Sequence, residues 1–439
     1  MRSFRALQRA IPQHFSSAQS RPISTTVRRC SGIKSLDDHL THPTAVGRSP
    51  EGLKLITQRK TDRTTLPWFW LRDNCRCSTC VNQDTMQRNF NTFDVPVDIE
   101  AAEAVHQQTG VKIKWNDGHE SFYPWAFVVA YSRKGRRSNL VYEARKSMFG
   151  AEIANSPPEV DYSFVMRTQQ GVADLTDKIM RHGFAFVANT PYQDPADTQR
   201  LLERIAFIRP THYGGFYDFT PDLAMADTAY TNLALPAHTD TTYFSDPAGL
   251  QSFHLLSHTP APGADPTQGA EGGKSLLVDG FHAARILEKE DPQAYKALTT
   301  KGVLWHASGN KGIAIAPYRT FPVIETVGRF IHKIRWNNDD RGVMPLELPS
   351  DPNVPVTAME WYHAARKWDA ILRRKEMECW IQLVPGKVLI FDNWRVLHGR
   401  SAFEGIRRIC GGYINRDDFV SRWKNTNFDQ YLVHNSVRG

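Results

Sequence analysis

A histidine and an aspartate lie two residues apart at His238 and Asp240, within the stretch LPAHTDTTYF. If this stretch ends a β-strand, both side chains point to the same side of the sheet, because side chains alternate along a strand. Joined by a second histidine from a distant strand, the pair would form a 2-His-1-carboxylate metal site. A histidine and an aspartate at this spacing are common, however, and alone they are equally consistent with a polar turn.

A second strand supplies a candidate third ligand. Residues 385–400, PGKVLIFDNWRVLHGR, begin with a Pro-Gly turn, continue as an apolar strand and reach His398, and Arg407 follows at the start of another apolar segment. A 2-His-1-carboxylate centre holding Fe(II) leaves three coordination positions open for a co-substrate and O2. A guanidinium such as Arg407 can bind the far carboxylate of a dicarboxylate co-substrate through two hydrogen bonds. The alternative is that His398 is structural and Arg407 is a surface charge.

Three of the six cysteines, Cys75, Cys77 and Cys80, form a C-x-C-x2-C motif, and His119 follows in the turn of a predicted hairpin. Three thiolates and one imidazole form a closed tetrahedral zinc site, which is structural because no coordination position remains for substrate. Such a site can decide whether a small β domain folds. Reduced, metal-free cysteines are one alternative. A zinc ribbon that binds nucleic acid is another, but no basic patch flanks the cluster.

The elements that position these residues are predicted to be short strands separated by Pro and Gly turns. Residues 50–140 indicate a small β domain, in which LPWFWLRDNC carries strand-forming aromatics and VKIKWNDGHESFYPW predicts a hairpin. Residues 160–430 alternate predicted strands with long loops and inserted helices, one of them HAARILEKEDPQAYKAL. The predicted fold class is therefore mainly β with inserted helices. A double-stranded β-helix (jelly-roll) catalytic domain is expected to follow a small zinc-binding β domain.

The net charge of +8 is concentrated in the first 36 residues, which contain seven Arg or Lys residues and no Asp or Glu. An Arg- and Ser-rich segment without acids is typical of a mitochondrial transit peptide, and an ordinary basic tail is the alternative. We therefore expect residues 1–45 to be a transit peptide and linker, and the mature protein to lie in the mitochondrial matrix. No apolar run approaches the ~18 residues of a membrane span, and the remaining charge does not indicate a nucleic-acid partner.

Longer segments of the chain resemble the γ-butyrobetaine and trimethyllysine dioxygenase family, whose members depend on Fe(II) and 2-oxoglutarate. The segments that carry the resemblance run through most of the chain after residue 65: WLRDNCRCSTC, WNDGHESFYPW, DTAYTNLALPAHTDTTYF, GGKSLLVDGF, RWNNDDR, FDNWRVLHGR and RRICGGYINRDD. The γ-butyrobetaine branch carries the Cys75–Cys77–Cys80–His119 pattern, whereas some trimethyllysine relatives lack part of it. The resemblance implies O2 as co-substrate and ascorbate as an activator, and it is compatible with a homodimer.

By this resemblance, iron is bound by His238, Asp240 and His398, and Arg407 holds 2-oxoglutarate. Arg400 and Ser275 are further candidates for the co-substrate pocket, and their alternatives are a surface charge and a strand-edge hydroxyl.

The resemblance also implies a pocket for a trimethylammonium amino acid. A quaternary ammonium has no hydrogen to donate and is recognised by aromatic faces. In the family, aromatic residues at the positions matching Tyr213, Tyr217 and Tyr230 line the substrate site, although the position of Tyr217 is usually a tryptophan. Asp227 could contact the α-ammonium of a lysine-derived substrate. For each aromatic residue, packing in the core is the alternative.

The reaction implied is 3-hydroxylation of free N6,N6,N6-trimethyl-L-lysine, the first step of carnitine biosynthesis. The nearest alternative is hydroxylation of γ-butyrobetaine, the last step of the same pathway. A catalytically inactive scaffold that binds partners through the zinc domain is a second alternative, and a sulfonate-type dioxygenase is a third. The full set of His238, Asp240, His398 and Arg407 argues against the scaffold.

Overall fold

The computed structural model describes residues 43–56, 64–132, 146–220, 231–261, 263, 270–346, 355–430 and 433. Residues 1–42 of the expected leader therefore lie outside the described residues, as do Asp227 and Tyr230. The chain divides into two compact units, residues 1–136 and 137–439. Among the described helices, none is both long enough and apolar enough to cross a membrane.

Among its described residues, the first unit contains two three-stranded antiparallel sheets, with strand orders β1-β2-β3 and β4-β5-β6. The hairpin predicted around Gly118 joins β5 to β6, and its turn is closed by a hydrogen bond of 2.9 Å from the Trp115 N–H to the His119 carbonyl. The strands and helices are β1 Ala45–Ser49, β2 Gly52–Ile56, β3 Thr64–Pro67, α1 Trp68–Asp73, β4 Ala101–His106, β5 Gly110–Trp115, β6 Glu120–Pro124 and α2 Trp125–Ser132.

The aromatic segment after Leu66 forms helix α1, so the expectation of a strand there is wrong. Strand β3 ends at Pro67, whose extended backbone caps the helix. Trp68 and Leu71, three residues apart, are the buried members of α1. That spacing places them on one helical face, whereas a strand would bury every second residue. The helix leads directly into the cysteine cluster.

The second unit contains the longer strands and most of the helices. Its strands are β7 Glu159–Asp161, β8 Phe184–Ala188, β9 Tyr217–Phe219, β10 Leu235–His238, β11 Leu250–Thr259, β12 Ser275–Asp279, β13 Ile324–Val327, β14 Phe330–Ile334, β15 Cys379–Ile381, β16 Val388–Asp392, β17 Val396–Arg400 and β18 Ile406–Ile414. Its helices are α3 Tyr162–Arg167, α4 Gln169–His182, α5 Ala196–Ile205, α6 Gly280–Glu290, α7 Pro292–Thr300, α8 Ala358–Leu372 and α9 Arg416–Asn427.

Two sheets form the body of this unit. Their strand orders are β7-β8-β16-β11-β18-β9 and β10-β17-β12-β15. Phe186, Leu389 and Ile409 of the first sheet share one buried cluster with Leu277 and Val396 of the second. The two sheets therefore pack against each other through apolar side chains, which agrees with the prediction of a mainly β fold with inserted helices.

The helical segment 282–298 forms two helices and not the single helix that was predicted. Helix α6 ends at Glu290 and α7 begins at Pro292, which has no N–H to continue the first helix. Asp291 caps the second helix, because its side chain accepts a hydrogen bond of 2.9 Å from the Ala294 N–H.

A buried ion pair fixes the beginning of this unit. Arg395 and Asp279 are both fully buried, and two hydrogen bonds of 2.7 and 3.1 Å join the guanidinium to the carboxylate. Arg395 also donates to the carbonyls of Ser147 (2.6 Å) and Arg181 (2.8 Å), and Asp279 accepts from the Phe149 N–H (3.1 Å). These bonds satisfy a charge pair that would otherwise be costly to bury.

Candidate metal centre and active site

The two histidines of the candidate metal centre face each other across paired strands. Strand β10 pairs with β17 in antiparallel register, and His238 lies directly opposite His398. Beyond His238 the chain leaves the sheet, and Thr241 adopts a positive φ of 57°. The side chain of Asn393 then takes the place of a strand partner for Asp240. Its Oδ1 accepts from the Asp240 N–H (2.8 Å), and its Nδ2 donates to the Asp240 carbonyl (3.0 Å).

The three predicted ligands converge as the sequence indicated. Oδ1 of Asp240 lies 3.2 Å from Nε2 of His238 and 3.6 Å from Nε2 of His398. An ion about 2.1 Å from each ligand, with ligands at right angles, requires ligand-to-ligand distances of about 3 Å. The residues therefore fit a divalent metal ion bound by one face of an octahedron.

Burial and neighbouring charges set the protonation of these three groups. Burial alone would lower the pKa of His238, but the adjacent Asp240 raises it, and a bound cation would reverse that shift. The Pro236 carbonyl lies 2.8 Å from Nδ1 of His238, so Nδ1 carries the proton and Nε2 is left for a metal ion. Burial, together with the neighbouring His238, lowers the pKa of His398 to about 3, which keeps this imidazole neutral. Burial alone would raise the pKa of Asp240, but the adjacent histidines hold it below its usual range. The carboxylate is thus ionised at neutral pH.

Sequence reasoning missed two side chains that contact Asp240. Gln251 and Tyr413 each donate a hydrogen bond of 2.7 Å to Oδ2, the carboxylate oxygen that does not face the histidines. Burial, with the charge of Asp240, raises the pKa of Tyr413 well above its ordinary value, so the phenol keeps its proton. Tyr413 follows Arg407 by six residues, and the period of two places both on one face of β18. This spacing was the feature of the sequence that could have identified Tyr413.

Arg407 is a buried cation beside the metal centre. Its side chain lines the same cavity as the three ligands, and the residue is only 3% exposed. Within the described part of the chain it has no ion-pair partner, and its buried Nε has no hydrogen-bond partner. Burial, followed by the charge of Arg400, lowers the pKa of Arg407 to about 10, so the group remains charged at neutral pH. The guanidinium lies 5.0 Å from the centre of the Phe403 ring. A buried charge without an anionic partner is costly, and an anionic ligand would reduce that cost.

The other two predicted co-substrate residues also line the cavity, with different surroundings. Ser275 lies on β12 directly opposite Arg400 of β17. Nη2 of Arg400 donates to the carbonyls of Thr231 (2.6 Å) and Leu233 (2.9 Å). Part of the Arg400 guanidinium is therefore used to hold the backbone that leads into β10.

The cavity around these residues has a volume of about 470 Å³. Tyr213 and Tyr217, two members of the predicted substrate site, line it together with Tyr243 and Tyr413, which the sequence did not indicate. The rings of Tyr217 and Tyr413 meet edge to face with centroids 6.0 Å apart. Tyr217 donates a hydrogen bond of 2.6 Å to the Ser252 carbonyl, which fixes its ring.

One wall of the cavity is acidic and polar. The segment after β14 contributes Asn337, Asp339 and Asp340. The carboxylate of Asp340 is hydrogen-bonded by Thr242 Oγ1, whereas Asp339 is exposed. These carboxylates add negative charge to the cavity besides that of Asp240, which suits a substrate with a cationic group.

The cysteine cluster of the first unit has the geometry of a closed zinc site. Nε2 of His119 lies 3.3 Å from Sγ of Cys75, 3.6 Å from Sγ of Cys77 and 3.4 Å from Sγ of Cys80. Tetrahedral zinc with ordinary Zn–S and Zn–N lengths places sulfur and nitrogen about 3.6 Å apart. The four ligand atoms all lie within 4.8 Å of one another. Burial, with the charge of Cys75, raises the pKa of Cys80 to about 12, and a bound cation would reverse that shift.

Comparison with known proteins agrees with this geometry. Residues 140–413 match the family described as "Taurine catabolism dioxygenase TauD, TfdA family", and residues 53–128 match "Gamma-butyrobetaine hydroxylase-like, N-terminal". The chain is 56% identical over 420 residues to the trimethyllysine dioxygenase of Neurospora crassa, with 89% of this chain and 87% of that relative covered. It is 37% identical over 363 residues to the mitochondrial trimethyllysine dioxygenase of Homo sapiens, with 81% of each covered.

Among solved structures, an asparagine oxygenase in complex with Fe(II), 3-hydroxyasparagine and succinate aligns with a TM-score of 0.40 and 14% identity. That alignment covers 65% of this chain and 88% of the other, and it is too weak to bear on function. The ligand set and the family match define an Fe(II)- and 2-oxoglutarate-dependent dioxygenase. The chain belongs to the TauD, TfdA family and, within it, to the trimethyllysine dioxygenases, which confirms the resemblance drawn from the sequence.

Proposed function

We propose that this protein hydroxylates C3 of free N6,N6,N6-trimethyl-L-lysine, the first step of carnitine biosynthesis. The observation that carries the proposal is the shared cavity, in which His238, Asp240 and His398 lie beside a set of tyrosine rings and a buried Arg407 that has no acidic partner among the described residues. The substrate is indicated by relatives named trimethyllysine dioxygenase, one of which is 56% identical to this chain.

Different residues of the cavity would bind the metal ion and 2-oxoglutarate. His238, Asp240 and His398 would hold Fe(II), which supplies O2 activation coupled to the oxidative decarboxylation of 2-oxoglutarate to succinate and CO2. Arg407 binds the far carboxylate of 2-oxoglutarate with two hydrogen bonds, and Ser275 and Arg400 complete that pocket. Ascorbate is the proposed activator.

The aromatic side chains position the substrate. Tyr213 and Tyr217 line the cavity, and a trimethylammonium group is attracted to aromatic ring faces within about 6 Å. Tyr230 belongs to the same proposed cage, and Asp227 is the proposed partner of the α-ammonium, although both lie outside the described residues. Asp339 adds a second carboxylate for that end of the substrate, which γ-butyrobetaine, lacking an α-amine, would not use.

The same proposal covers the rest of the molecule. Residues 160–430 form a jelly-roll catalytic domain, and residues 50–140 form a domain in which Cys75, Cys77, Cys80 and His119 bind structural zinc. The positively charged residues 1–45 direct the protein to the mitochondrial matrix. Animal relatives such as that of Homo sapiens are named mitochondrial, which supports the organelle but does not specify the matrix. A homodimer is proposed from family resemblance alone.

Mass spectrometry of the purified protein, supplied with Fe(II), 2-oxoglutarate and either trimethyllysine or γ-butyrobetaine, tests the function. We expect one added oxygen on trimethyllysine, one succinate per product, and little product from γ-butyrobetaine. The Asp240→Ala variant should be inactive yet folded. Preferential oxidation of γ-butyrobetaine would replace the substrate assignment, and an Asp240→Ala protein that still coupled hydroxylation to succinate release would overturn the iron assignment.

A further inference from the structure

Two side chains that are not metal ligands converge on one oxygen of Asp240. Nε2 of Gln251 and the hydroxyl of Tyr413 each lie 2.7 Å from Oδ2. The other oxygen, Oδ1, is the one that faces Nε2 of both His238 and His398. The two carboxylate oxygens therefore differ in role: Oδ2 is held by hydrogen bonds from the protein, and Oδ1 faces the metal position.

The chemistry of the two donors makes this orientation definite. If the Gln251 amide were turned over, its oxygen would meet the carboxylate oxygen, and two acceptors would repel each other. Tyr413 can approach an ionised carboxylate only by donating its proton. Gln251 is 2% exposed and Tyr413 is 6% exposed, so bulk water has little access to either bond. Hydrogen bonds to a buried charge are among the stronger ones in proteins.

The two donors also belong to one rigid support. Gln251 on β11 and Tyr413 on β18 are directly paired residues in the antiparallel register of these strands. Asp240, by contrast, lies just beyond the end of β10, in the other sheet, where Asn393 alone replaces a strand partner for its backbone. The side chain of Asp240 thus takes its orientation from a cross-strand pair on a different sheet.

We propose that the cross-strand pair Gln251–Tyr413 positions Asp240 for metal binding by holding Oδ2 and leaving Oδ1 toward the two histidines. The proposal rests on the metal site assigned under Proposed function. Outer partners of this kind commonly contribute a factor of about 10 to 100 in metal affinity or activity. Each donor can hold the carboxylate while the other is absent, so removal of both should have the larger effect.

Mn(II) binding without 2-oxoglutarate tests this role independently of turnover. The variants are Tyr413→Phe, Gln251→Met and the double variant, with free Mn(II) measured by electron paramagnetic resonance. We expect the Kd for Mn(II) to rise at least about tenfold in the double variant and less in each single variant. Tyr217→Phe is the matched control, because it removes a tyrosine hydroxyl from the same cavity that donates to the Ser252 carbonyl and not to Asp240. Its Kd should match that of the wild type.

Thermal unfolding of the metal-free proteins separates positioning from packing. A role in packing alone would lower the unfolding temperature of the double variant without raising its Kd for Mn(II), and that result would overturn the proposal. An equal rise in Kd for Tyr217→Phe would overturn it too. His238→Ala gives the reference for a lost ligand. If the wild type and His238→Ala bound Mn(II) equally, the metal assignment itself would fail, and the positioning role with it.

Discussion

Arg407 and Arg408 are neighbours in β18, but their guanidinium groups lie in opposite environments. Arg408 is exposed and forms an ion pair of 2.6 Å with Asp218, whereas Arg407 is buried in the cavity and has no acidic partner among the described residues. The alternation of side chains along the strand produces this contrast. Among the residues that the structure describes, Arg408 thus has its anion, whereas Arg407 is left to bind one from a ligand.

The first prediction compares these two arginines. Arg407→Ala should raise the KM for 2-oxoglutarate by at least about tenfold, because a hydrogen-bonded charge contributes about 1.5–3 kcal/mol. Arg408→Ala, the matched control, should leave that KM unchanged. The measurement is the initial rate of succinate formation over a range of 2-oxoglutarate concentrations. Equal changes in the KM of the two variants would show that Arg407 does not bind 2-oxoglutarate.

The second prediction concerns zinc in the first unit. Cys80→Ser should abolish zinc binding and lower the unfolding temperature of this unit, because the energy of a structural zinc site is part of the folding energy. Metal content by mass spectrometry and calorimetry provide the two readouts. Cys379→Ser removes another buried thiol, outside the cluster, and should keep one zinc ion per chain. Full zinc content in Cys80→Ser would show that the cluster is not the zinc site.

The third prediction is a pH dependence of stability from His254. This buried residue lies with Nδ1 2.7 Å from Thr198 Oγ1, and its Nε2 accepts from the Gly386 N–H. Burial lowers its pKa from 6.5 to about 4. Between these two pH values the unfolded chain binds a proton that the folded chain does not, so stability falls as pH falls from 6.5 to 4. Since one pKa unit corresponds to 1.36 kcal/mol, the loss is about 3 kcal/mol.

Chemical denaturation at pH 6.5 and at pH 4 checks this value. His254→Gln has no titrating ring, so the loss of unfolding free energy between the two pH values should be about 3 kcal/mol smaller than in the wild type. The exposed His363 gives the control, and His363→Gln should retain the wild-type pH dependence. An unchanged pH dependence in His254→Gln would contradict the assignment.

The fourth prediction addresses substrate choice. Asp339 is an exposed carboxylate on the cavity wall, so its pairing with an ammonium group should be modest. Asp339→Asn should raise the KM for trimethyllysine by up to about fivefold, the range of an exposed ion pair. Any turnover of γ-butyrobetaine should be unaffected, because that compound has no α-ammonium. A parallel loss with both substrates would place Asp339 at the trimethylammonium end or outside the site.

The sequence predicted that His238, Asp240 and His398 would lie close together, and the structure brings these three side chains together. His238 ends β10, and Asp240 lies two residues beyond it. The sequence indicated one apolar strand from the Pro385-Gly386 turn to His398, but the structure has two strands there, β16 and β17, in different sheets, and His398 lies within β17. Strand geometry accounts for the directions of the two histidine side chains, which are paired across β10 and β17, whereas Gln251 and Tyr413 orient the side chain of Asp240. The helix at Trp68 was missed because aromatic residues favour strands by propensity, while the burial of Trp68 and Leu71 decided the structure.

The partners of Asp240 could not be predicted in the same way. Gln251 meets Tyr413 only through the register of β11 and β18, and that register depends on contacts across the whole sheet. The same limit applies to Asn393, which hydrogen-bonds the backbone of Asp240 in place of a strand partner and lies 153 residues from it in sequence. For Arg400, the carbonyls of Thr231 and Leu233 account for part of its donor capacity, and nothing in the local sequence pattern indicated them.

The buried Arg395 sets a practical limit on shortening the protein. Its guanidinium donates to the Ser147 carbonyl, and its partner Asp279 accepts from the Phe149 N–H. A catalytic unit that begins after Phe149 would lose both hydrogen bonds. The buried charged groups of Arg395 and Asp279 would then each lack one hydrogen-bond partner. A start point upstream of Ser147 keeps them, so the beginning of an independently produced catalytic unit is defined by an arginine some 250 residues further along the chain.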